Sequence, residues 1–131
     1  PAKTTTPAVA PQRILIVDDN EDAANMMALL LGKHGHDVRV AHNGEEALAV
    51  GDEMLPNIVL MDIGMPIMDG YTACRRMHDT AWGTNALIIA LSGWGQEEDR
   101  RKSCGAGFDR HLVKPVTVAD LLGIIAEAVP G

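Results

Sequence analysis

Short runs of branched apolar residues alternate along this chain with longer amphipathic stretches. Residues 14–17, 58–61 and 87–91 are unbroken in hydrophobicity, the pattern of strands covered on both faces. The spacing predicts strands over residues 13–18, 37–41, 57–62, 86–91 and 110–113. Helices are predicted over 21–34, after Asn43, over 70–79, over 96–104 and from Thr117 onward. In the first helix Ala23, Met26, Met27, Leu30 and Leu31 read as the apolar side, with Gly32 or Gly35 ending it. Asn43 is placed to cap the second helix, with Glu46 three residues on to complete a reciprocal box. Thr117 and Asp120 have the same spacing at the closing helix, which is expected to bury Leu121, Leu122, Ile125 and Val129. Five strands alternating with five helices imply parallel βαβ units, right-handed crossovers and helices on both faces of the sheet. That is a doubly wound α/β domain, a fold that hosts many activities.

Composition narrows the classes. The 131 residues make one domain. Residues 1–12, PAKTTTPAVAPQ, are small, proline-containing and without period, so they read as a linker before a domain over 13–131. No apolar run is long enough to span a membrane and no apolar signal-peptide core is visible, so a cytoplasmic location is expected. Cys74 and Cys104 lack metal-ligand spacing and read as reduced packing residues. A formal net charge of −7 argues against this domain gripping nucleic acid by itself.

Where the charges fall matters more than their sum. In an open α/β sheet, ligands bind outside the carboxyl ends of the strands. There Asp18 and Asp19 end the first strand, Asp62 the third, Ser92 the fourth and Lys114 the fifth. Each piece has a plain reading as a turn, a cap or a strand exit. Their convergence on one rim does not. Three neighbouring carboxylates repel one another unless a cation lies between them, and Mg2+ suits carboxylates, waters and a phosphate oxygen. A lysine and a hydroxyl nearby complete a site in which an aspartate attacks phosphorus while the developing charge is neutralised.

At these residues the chain resembles the receiver domains of two-component response regulators. The resemblance is carried by ILIVDDN, VLMDIGMPIMDG, ALSGWG and GFDRHLVKP, in that order, and covers nearly all but the linker. It implies the flavodoxin-like strand order 2-1-3-4-5. It implies that Asp62 takes a phosphoryl group from a phosphohistidine, with Mg2+ (or Mn2+ in its place) held by Asp19, Asp62 and the backbone carbonyl of Gly64. Asp18 would act mainly through a metal-bound water, Lys114 would contact the phosphoryl group, and Ser92 would be the switch hydroxyl. Three positions depart from the family's common pattern. His111 stands where an aromatic residue often moves with the switch hydroxyl, and reads as filler or partial switch. Gly64 and Trp94 border the route of water to the phosphoryl group, and Trp94 reads equally as a plain surface residue.

The resemblance further implies a histidine kinase or histidine phosphotransfer protein as phosphodonor. A downstream protein or a second copy would dock on the face formed by the fourth helix, fifth strand and fifth helix, residues 96–102, 109–111 and part of 117–127. The linker-like start, the stop after the last helix and GFDRHLVKP favour the receiver of a hybrid histidine kinase over a single-domain regulator. Such a domain assists its own phosphorylation and dephosphorylation and is not a turnover enzyme. Three rival readings stay open at this level: an aspartate-nucleophile phosphohydrolase, a flavin-binding carrier and an interaction module that is never phosphorylated.

Overall fold

The computed structural model describes residues 12–62, 70–92, 109–113 and 116–128. Five strands, β1 (Arg13–Val17), β2 (Asp37–Ala41), β3 (Ile58–Asp62), β4 (Leu87–Ser92) and β5 (Arg110–Val113), form one sheet. All pairings are parallel, as the alternating pattern predicts, and the order is β2-β1-β3-β4-β5, as the family resemblance implies. Four helices are described: α1 (Glu21–Lys33), α2 (Gly44–Met54), α3 (Gly70–His78) and the closing helix α4 (Val118–Ala128). The helix expected over 96–104 lies outside the described residues, as do Cys104 and Val129.

The sheet sends alternate side chains to two cores because strand side chains alternate with period two. Leu15, Val17, Val59, Met61, Ile88 and Ala90 pack on one face against α2 and α3. Ile14, Ile16, Ile58, Leu60, Ile89 and Leu91 pack on the other against α1 and α4. Burial on both faces explains why these strands read as unbroken apolar runs. Each fully buried Ile, Leu or Val contributes about 1.5–3 kcal/mol relative to exposure.

Local signals set the boundaries. Asn20 caps α1 through the Ala23 N–H, and Gly35, at φ +92°, takes the left-handed position just beyond its end, where a side chain would be strained. Thr117 and Asp120 form the expected reciprocal box, each side chain accepting the other's backbone N–H at 3.1 Å. The box at α2 is only half made. Asn43 accepts the Glu46 N–H at 2.8 Å, but the Glu46 carboxylate turns to Nδ1 of His42, 3.5 Å away.

The expected apolar side of α1 is corrected. Ala24 and Leu31 are buried and Met27, Ala28 and Leu30 half-buried, whereas Ala23 is exposed and Met26 is 59% exposed. The cap at Asn20 fixes the helix phase, so that the 24, 27, 28, 31 stripe meets the sheet. In α4, Leu121 and Ile125 are buried as expected and Ile124 joins them, while Leu122 is half-buried.

Candidate functional site

The neighbouring strands β1 and β3 carry the acids out of the sheet together. Val17 lies in register with Met61, so the next residues, Asp18 and Asp62, emerge side by side at the carboxyl edge. Asp18 is held firmly. Its N–H donates to Ala41 O at 3.0 Å, continuing the β1–β2 ladder, and its Oδ1 accepts the Asn20 N–H at 3.0 Å. Asn20 in turn caps α1, so the acidic turn and the helix start are one hydrogen-bonded unit. Asp18 is buried, Asp62 half-buried and Asp19 exposed.

One carboxylate oxygen from each of Asp18, Asp19 and Asp62 lies within 4.8 Å of the others. Two full charges at that separation repel by about 3 kcal/mol at an effective dielectric near 20, and less where solvent screens Asp19. A compact set of three hard oxygen donors fits a small divalent cation and suits neither zinc's sulfur and nitrogen preference nor an anion. The residues therefore fit the group that the sequence implied.

The other expected site residues divide. Ser92 ends β4 in register with Val113, one position beyond the Asp62–Leu91 rung, so its backbone reaches the same rim; its side chain is outside the described residues. Gly64, Trp94 and Lys114 also lie outside them. His111 is half-buried on β5, in register with Ala90, which turns to the α2–α3 side of the sheet.

Two features escaped the sequence reading. A cavity of about 480 Å³ opens beside Asp18, lined by Ala23 and Met27 of α1, Ile16, Leu60 and Leu91 of the sheet, and Leu121 of α4. Its walls come from five elements, so no single stretch of sequence announces it. Asp109, one of the residues expected on an output face, is also tied to β4: its carboxylate accepts the Ile88 N–H and its own N–H donates to Ile88 O, both at 2.8 Å.

Residues 14–126 match the family model described as the response regulator receiver domain. Protein PilH of Pseudomonas aeruginosa is 35% identical over 119 residues, which cover 91% of this chain and 98% of PilH. The receiver domain of a sensor histidine kinase from the same species was solved with a magnesium ion coordinated in its active-site cleft. It is 30% identical, with a TM-score of 0.80, over 90% of this chain and 97% of that one. The chemotaxis response regulator CheY4 of Vibrio cholerae, at 24% identity, shares the fold with a TM-score of 0.83 over 92% of this chain and 100% of its own. Other curated relatives are longer, and the chain spans 46% of one and 14% of another.

Proposed function

The chain belongs to the response regulator receiver family, whose members are phosphoacceptors of two-component signalling, and from that premise we propose that Asp62 is its phosphoacceptor. The observation that carries the reading is the convergence of Asp18, Asp19 and Asp62 at the carboxyl ends of β1 and β3. A carboxylate oxygen of Asp62 attacks the phosphorus of a phosphohistidine. The phosphorus–nitrogen bond breaks, its electron pair returns to the donor imidazole, and Asp62 carries an acyl phosphate.

The residues that would hold Mg2+, or Mn2+ in its place, are Asp18, Asp19, Asp62 and the carbonyl of Gly64. A bound ion would supply positive charge to offset that of the carboxylates and the phosphoryl group. Asp18, fixed by Ala41 and Asn20, gives the site a rigid acidic wall, whereas exposed Asp19 is free to adjust to the ion. Lys114 contacts the transferred phosphoryl group and Ser92 donates its hydroxyl hydrogen to it, both by their motif positions.

The receiver occupies residues 13–131 after a linker over 1–12, whose last residue, Gln12, is itself buried against the sheet. Its donor is a histidine kinase or histidine phosphotransfer protein, and its output passes to a partner or a second copy on the face near β5 and α4. Among the described residues no helix is long and apolar enough to cross a membrane. The proposed setting is the cytoplasm, with a hybrid histidine kinase as the proposed parent.

A stoichiometry experiment separates this reading from a phosphohydrolase. With Mg2+ and phosphoramidate, each chain should gain a single phosphoryl group, and a generic phosphomonoester should not be hydrolysed over many turnovers. Sustained turnover would overturn the phosphoacceptor assignment.

A further inference from the structure

At the end of the sheet opposite the acids, a histidine takes a place that backbone would ordinarily fill. His36 closes the turn between α1 and β2 and is 7% exposed. Its Nδ1 accepts the backbone N–H of Gln12 at 3.0 Å, and the Gln12 carbonyl accepts the Asp37 N–H at 2.9 Å. Gln12, itself 8% exposed, is the residue through which residues 1–11 join the sheet. The side chain thus adds one rung to the β1–β2 ladder where the sheet alone would stop.

We propose that His36 is a proton-operated latch that holds the junction between residues 1–11 and the sheet. The chemistry follows from the donor. A backbone N–H can only donate, so Nδ1 must carry a lone pair and the ring proton must sit on Nε2. Protonating Nδ1 places two N–H groups head to head in a buried space, and the rung is lost. This goes beyond the phosphoacceptor reading and does not depend on it.

The surroundings set the sign. Burial lowers the His36 pKa from 6.5, and His34 at the end of α1 lowers it further. The neighbouring charged groups on the three elements that meet at this turn are Lys33 of α1, Asp37 at the exposed start of β2, and Arg13 of β1. Arg13 is turned to the opposite face, its Nε donating to Leu55 O at 2.7 Å. On α4, Asp120 lies in the first turn, toward the acid rim, and Glu127 in the last turn, at the opposite end of the helix. Above pH 6.5 the ring is neutral whether the latch is closed or open, and the rung has its full strength. As pH falls from 6.5 toward the lowered value, the open form takes the proton first, so closure weakens by about tenfold per pH unit. Below the lowered value both forms are protonated and the loss levels off.

The test follows the Gln12 amide and the His36 ring by nitrogen NMR in the full chain, from about pH 8 to about pH 5. At the upper pH the ring should carry its proton on Nε2. His36 should titrate below 6.5. Gln12 protection against exchange, corrected for intrinsic rate, should fall by about tenfold per pH unit in that window, while Val59 in the central strand keeps its own. His36→Asn, whose amide oxygen can accept the same bond without titrating, should give a flat Gln12 profile. A proton on Nδ1 near neutrality, a pKa at or above 6.5, or a flat wild-type Gln12 profile would overturn the latch. Equal losses at Gln12 and Val59 would overturn it too, by making His36 a global stability group. Should the variant not fold, the wild-type ring and amide data decide alone.

Discussion

Asp18 and Asp109 are both acids beside strand ends, and what their oxygens meet separates them. Both Asp109 contacts go to Ile88, so the side chain is engaged in starting β4 and β5 together. Asp18 is fixed by Asn20 yet keeps an oxygen in the acid cluster with Asp19 and Asp62. The cluster was legible in sequence because each member follows an apolar run whose end is sharp. The bonds of Asp109 were not, because its partner lies 21 residues away on another strand. The same holds for His36 and Gln12, 24 positions apart. Cys74 adds a test at this scale. Burial, reinforced by Asp109 and opposed by Arg75, pushes its thiol up to about 12. In a Cys104→Ser background, a thiol reagent at about pH 8 should leave Cys74 unmodified until the protein is denatured. Rapid labelling of the native chain would contradict this.

Among the elements, α2 shows how a missing side chain positions a loop. Trp82, in the turn after α3, packs against Gly51, and its Nε1–H donates to Asp52 at 3.0 Å. A Cβ at residue 51 would run into the indole ring. Gly51→Ala should therefore destabilise the fold by about 2 kcal/mol, the overpacking cost outweighing the helix-propensity gain of about 1 kcal/mol. Urea unfolding with an unchanged slope checks it, and a stabilised variant would contradict the packing argument. Nothing local in the sequence pairs Gly51 with Trp82, because the contact exists only once α2 and the turn are docked. For α1 the apolar period was legible but its phase was not. Ala23, Met26 and Met27 offer overlapping stripes, and the Asn20 cap chooses between them.

For the whole molecule, alternation of buried strands with amphipathic helices was enough to give the parallel sheet, and the family motifs gave its order. The cavity beside Asp18 needed the docked helices, since its walls converge only when α1 and α4 lie on one face. The two ends of the sheet then have different chemistry, with three carboxylates at one and a buried imidazole accepting a backbone N–H at the other. At the acid end, one strand register brings Asp18 and Asp62 together and makes an ordinary loop acid a nucleophile candidate. The direct measurement is the intact mass of the chain after incubation with Mg2+ and phosphoramidate, set beside that of Asp62→Asn. A gain of one phosphoryl group in the native chain, absent from the variant, is the predicted result. An equal gain in Asp62→Asn, or no gain in the native chain with any small phosphodonor, would contradict it.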